Sequence, residues 1–138
     1  MGIKVRNLDH QVIEFTLNKT LSATLNAGIA KPFFSGFISD ISAVIQTPGS
    51  GATNTVLDVN LNGTTIFSAA TKITLASTTG VASYSDLTAT PTQVTYGSIL
   101  SLDVDSVSTN PLNAIVQIVI SKQPLNTADN NTDLNFAR

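Results

Sequence analysis

The chain has 138 residues, no cysteine, no tryptophan and a formal net charge of −2 at pH 7. That length suits one domain with a core large enough to stand without disulfides, and the Lys and Arg residues are scattered rather than clustered, which excludes a nucleic-acid footprint. No apolar run approaches the roughly 20 residues of a membrane-spanning helix. The opening MGIKVRNLDHQ lacks a secretory pattern, and Arg6 stands where a myristoylation signal wants Ser or Thr, so no leader or lipid anchor is expected.

Ser, Thr and Asn fill about a third of the chain, interleaved with Val, Ile and Leu in short alternating runs. Alternation of period two marks strands with one buried face. In chain order, residues 1–10 show no turn and little periodicity and read as an N-terminal arm. Strands are predicted over Gln11–Leu17, Thr20–Leu25 and Phe33–Gln46, the last containing Gly36, which predicts a bulge or bend. Pro48-Gly49-Ser50-Gly51 marks a loop.

Thr55–Asn62 is the sharpest strand, with Leu57, Val59 and Leu61 on one face and Asp58, Asn60 and Asn62 on the other. Asn62-Gly63 then predicts a two-residue hairpin, because both residues tolerate the positive φ of a type I′ turn. Such a loop pairs Val59 with Ile66 on the core side. Lys72–Leu75 and Gln93–Tyr96 read as further strands, separated by loops at Ala76–Gly80 and Thr90-Pro91.

Ser98–Val107 alternates as cleanly, with Leu100, Leu102 and Val104 opposed to Ser101, Asp103 and Asp105. Ala114–Ser121 differs, because Ile115, Val116, Ile118, Val119 and Ile120 load both faces. Such a strand is central in a sandwich or buried at a subunit contact. Residues 126–138 are polar and close with Leu134 and Phe136, the signature of a C-terminal tail. The expected fold class is therefore all-β: a single antiparallel β-sandwich or jelly roll over residues 11–125, with arms at both ends.

Catalytic kits lack parts. His10 is the one imidazole and Glu14 the one glutamate. No G-x-S-x-G elbow accompanies His10, and a glycosidase would need two suitably placed carboxylates. Asp58-Val-Asn60-Leu-Asn62-Gly63 matches the first half of an EF-hand loop, but Ala69 occupies the position of the closing bidentate Glu. Asp103 and Asp105 share a strand face, where a solvated surface explains them better than a cation. No metal, no cofactor and no enzymatic activity are expected. The mildly positive hydropathy and low charge instead point to apolar surface covered by neighbours.

The run GFISDISAVIQTPGSGATNTVLDVNLNGTTIFSAATKITLASTTGVASYSDLTATPTQVTYGSILSLDVDSV, followed by AIVQIVISK, resembles small β-sandwich modules of tailed-bacteriophage virions. These modules occur in capsid decoration (cement) proteins, head fibres and tail appendages. The shared layout is a glycine-containing strand, the VLDVNLNGTTIF hairpin, a Thr/Ser-rich middle, the YGSILSLDV strand and a closing apolar strand, over about Phe33 to Lys122. The resemblance implies a non-enzymatic homotrimer on the virion, contacting the major capsid protein and neither nucleic acid nor membrane. It also leaves a receptor- or glycan-binding role on a head fibre or tail as the alternative. Ile3, Val5, Leu8, Ile115, Val119, Leu134 and Phe136 are the expected contacts between copies or with the capsid.

Overall fold

The computed structural model describes residues 9–68, 71–77 and 92–122, together with the backbone of 81–84. Ten strands follow one another: β1 (His10–Thr20), β2 (Thr24–Ala30), β3 (Gly36–Thr47), β4 (Thr55–Leu61), β5 (Thr64–Thr65), β6 (Ile73–Leu75), β7 (Val81–Tyr84), β8 (Gln93–Val94), β9 (Leu100–Ser106) and β10 (Leu112–Ser121). No helix occurs among the described residues. The expected arm residues Ile3, Val5 and Leu8, and the tail residues Leu134 and Phe136, lie outside them.

One sheet runs β1-β10-β3-β7, with β8 also paired to β3; the other runs β2-β9-β4-β5, with β6 also paired to β4. Every pairing is antiparallel. β5 and β6 lie along one edge of β4, and β7 and β8 along one edge of β3, so each pair acts as one interrupted strand. The chain then alternates between the sheets, β1 to β2 to β3 to β4, and closes through β9 and β10. This is the strand order of a jelly roll.

The core forms where the alternation points inward. Ile13, Phe15 and Leu17 of β1, Ile41, Ala43 and Ile45 of β3, and Val116, Ile118 and Ile120 of β10 belong to the same buried cluster as Leu57 and Val59 of β4 and Leu100, Leu102 and Val104 of β9. The expected hairpin forms as well. Asn62 and Gly63 have φ of 51° and 86°, Asn60 pairs with Thr65, and the Ile66 amide donates to the Val59 carbonyl at 3.0 Å.

Several boundaries differ from expectation. β1 runs on through Thr20 and β2 begins only at Thr24, because buried Leu21 turns the chain, its amide donating to the Pro111 carbonyl at 2.9 Å. The bulge of β3 lies at Ser39, not at Gly36: Val119 pairs with Asp40 while Ile120 pairs with Ile38. That extra residue lets Ile38 and Ile41, three positions apart, both enter the core. Gly36 serves a close approach instead, since a Cβ there would collide with the Ser121 carbonyl oxygen. The short strand β7, unpredicted from sequence, gains its order by pairing with β3 over Ile41–Val44.

Candidate interaction surfaces

The outer face of the β1–β10–β3 sheet is built by register. Thr16 of β1, Ile115 of β10 and Val44 of β3 are direct neighbours across the strands, with Val81 of β7 next in the row. Val12 faces Val119 in another row. Between these rows stands a polar one, in which the Gln117 amide donates to Glu14 at 2.9 Å. Val12, Val44 and Ile115 are 55%, 43% and 36% exposed, and Val119 is half-buried. A hollow of about 310 Å³ opens at the Ile115 row, walled by Thr16, Val44, Gln46 and Asn113 among others. An uncharged amide pair borders it, Asn113 Nδ2 donating to Gln46 Oε1 at 2.7 Å. A broad, weakly charged β-surface of this kind can bury area against a partner, and the one carboxylate named on it, Glu14, is held by Gln117.

A second apolar surface lies where β2 crosses to β3. Ile29, Lys31 and Phe33 are exposed at alternate positions, with Pro32 buried between them. Tyr96 and Ile99, from the turn that enters β9, adjoin them. Lys31 Nζ lies 4.2 Å from the centre of the Tyr96 ring and also donates to its hydroxyl at 3.1 Å. The Gln11 side chain fixes this crossover like one rung of a ladder: Phe33 N donates to Gln11 Oε1 at 2.6 Å, and Gln11 Nε2 donates to the Phe34 carbonyl at 3.1 Å. Lys122 covers Phe34, its ammonium 5.2 Å from the ring centre.

The third feature is the acidic outer face of β4 and β9. Asp58, Asn60 and Ser101 are buried there, not solvated as alternation alone suggests. Lys72 bridges Asp58 at 2.9 Å and Asp105 at 2.7 Å. Those two hydrogen bonds, to Asp105 and then Asp58, outweigh desolvation and raise the Lys72 pKa well above its ordinary value. Asp103 accepts from Asn60 Nδ2 at 2.8 Å and from the Asn26 amide at 2.7 Å. Asp103 and Asp105 thus hold protein partners, and no group of three or more His, Cys, Asp or Glu among the described residues could hold a metal ion.

Of the contact residues expected from sequence, the structure brings Ile115 and Val119 to one sheet face and leaves the five arm residues undescribed. Sequence reasoning missed Val12 and Val44 on that face, although both are outward members of alternating strands. It also missed the Ile29–Phe33 ridge, most of which lies between the expected strands Thr20–Leu25 and Phe33–Gln46, whereas β2 runs over Thr24–Ala30. His10 is exposed at the start of β1. No protein-family model matches the chain, and no curated protein matches its sequence.

Proposed function

We propose that the protein is a structural component of a tailed-phage virion: a decoration or cement protein that binds the outer capsid surface as a homo-oligomer, a trimer by the resemblance. The observation that supports this reading most directly is the exposed Thr16–Ile115–Val44 row on the outer β1–β10–β3 face. Burial of such a face stabilises by roughly 25 cal/mol per Å² of apolar area. Repeated over many copies on a lattice, modest contacts of this size add by avidity. The jelly-roll topology agrees with the resemblance, but the same fold hosts unrelated functions, so the surface carries the argument.

The alternative, a receptor- or glycan-binding module, draws on exposed Phe33 and Tyr96. It is the weaker reading. Sugar rings stack on open, flat aromatic faces, whereas one face of Tyr96 is taken by Lys31 and Phe33 stands tilted by 59° to Phe34. Light scattering on the eluting protein tests the oligomer, with a stable monomer at micromolar concentration counting against it. Co-sedimentation with phage heads, followed by imaging of decorated particles, tests the partner; particles that take up no protein overturn the reading.

A further inference from the structure

The Ile29–Phe33 ridge presents apolar side chains around a cation. Ile29, Phe33, Tyr96 and Ile99 are 69%, 70%, 61% and 53% exposed. Lys31 sits among them and Lys122 covers neighbouring Phe34. Among the described residues neither lysine pairs with a carboxylate. The surface therefore fits a segment that carries apolar anchors next to an acid.

The chain holds such a segment, and both of its ends leave beside this ridge. The Lys122 amide donates to the Asp9 carbonyl at 2.8 Å, and Gln11 binds the Phe33–Phe34 backbone. Beyond Lys122 the sequence reaches Asp133-Leu134-Asn135-Phe136. Twelve positions separate Lys122 from Leu134, an extended reach of about 40 Å. Three positions separate Phe34 from Lys31, at most about 11 Å of chain. The N-terminal segment is the other candidate within reach, but its apolar residues Ile3 and Val5 alternate with Lys4 and Arg6, which Lys31 and Lys122 repel.

We infer that the C-terminal Asp133–Phe136 segment docks on its own subunit's Ile29–Phe33 ridge, Leu134 and Phe136 covering Ile29, Phe33 and Ile99 while Asp133 faces Lys31. Attachment through a short linker gives this contact a high effective concentration, so few anchors suffice. Segment 126–138 then covers an apolar surface of its own subunit, and the β1–β10–β3 face stays open to partners. The inference stands apart from the proposed virion role, since a chain of any function could fold its tail this way.

The test uses the full chain. Because the protein has no cysteine, Ala137→Cys gives a single site for a nitroxide spin label. Amide resonances of Ile29, Phe33 and Ile99 should broaden, while those of Val44 and Ile115 stay sharp. Lys31→Glu and, separately, Phe136→Ser should abolish the broadening, with the thermal melt showing that each variant remains folded. Phe136→Ser lies outside the described sandwich and keeps the test open if Lys31→Glu unfolds. Unchanged resonances, or broadening at Val44 and Ile115 instead, would overturn the inference. So would broadening of isotope-labelled, nitroxide-free chains refolded together with unlabelled nitroxide-bearing ones, because that places the tail on a neighbouring copy.

Discussion

Asp58 and Asp103 stand directly opposite each other across β4 and β9, an arrangement of like charges that ordinarily destabilises a sheet. Each is drawn to a different side. Asp58 takes Lys72 and the Thr65 hydroxyl, while Asp103 takes Asn60 and the Asn26 amide. Lys72 is the one cation of this network, and it ties the segment between β5 and β6 to both β4 and β9.

Replacing that cation tests the account. Lys72→Met leaves the Asp58 carboxylate, 5% exposed, with only a hydroxyl partner. Breaking a buried pair on one side costs about 3–5 kcal/mol. The Lys72 side chain is 27% exposed, so water recovers part of this, and a loss of about 2 kcal/mol is expected in urea unfolding. A variant as stable as the parent would mean that Asp58 is solvated.

The same lysine sets an alkaline limit. Its folded pKa lies above the unfolded value, so the folded state holds the proton more tightly. The stabilisation is complete below about pH 10, the ordinary lysine range, and is lost as pH rises through the folded pKa. Lys72→Arg keeps the charge throughout that window. The melting temperature of the parent should therefore fall more steeply above about pH 10 than that of Lys72→Arg; parallel profiles would assign the alkaline loss to other groups.

Gly36 and Gly28 both lie against neighbours, but of different kinds. A Cβ on Gly36 meets the backbone carbonyl of Ser121, which β10 holds in register, whereas a Cβ on Gly28 meets the Phe15 ring, 2.7 Å from Cδ1. A ring can pivot; a ladder carbonyl moves only with its strand. Gly36→Ala should cost about 3 kcal/mol, the upper part of the overpacking range, and Gly28→Ala less. Denaturant midpoints for the two variants decide the order.

The elements legible from sequence are those whose period survives intact. β4 and β9 alternate without interruption, and Asn62-Gly63 encodes its own turn through backbone chirality. Ser39 was not legible as a bulge, because one inserted residue leaves no mark except Ile38 and Ile41 falling three apart. β7 is held by its register against β3, which no local property of Val81–Tyr84 reveals. The burial of Asp58 and Asn60 is not legible from the sequence for a related reason: both have the composition of a solvated surface, and their partners Lys72 and Asp103 come from other segments. On the candidate surface, Ile115 and Val119 stood out because their strand is apolar on both faces. Val12 and Val44 emerged only once register aligned β1, β10 and β3.

The Asn62–Gly63 turn gives a separable pair of effects. Gly63 has φ of 86° with open space about it, so Gly63→Ala should cost about 1 kcal/mol through conformation alone. Asn62 adds contacts: its Oδ1 accepts the Ile99 amide at 2.9 Å, and its own amide donates to the Ile99 carbonyl at 2.8 Å. Asn62→Ala loses the first bond as well as the tolerance for positive φ and should cost about 2 kcal/mol. Equal losses in thermal unfolding would show that the Ile99 contact contributes nothing.

On the proposed role, the outer face of β1–β10–β3 should matter for assembly and little for folding. Ile115 and Val44 face each other across β10 and β3, and both remain accessible while their neighbours Val116 and Ile45 fill the core. Replacing both by threonine keeps the β-branching that the strands favour and removes apolar area only from the exposed side. Surface changes of this kind ordinarily alter stability by about 0.5 kcal/mol or less. The double variant Val44→Thr, Ile115→Thr should thus melt close to the parent. Under the proposed virion role it should nevertheless dissociate to smaller species in light scattering and bind phage heads more weakly. A variant that assembles and binds as the parent does would move the contact to another surface. One that unfolds would show that the hollow beside Thr16 and Asn113 belongs to the fold itself.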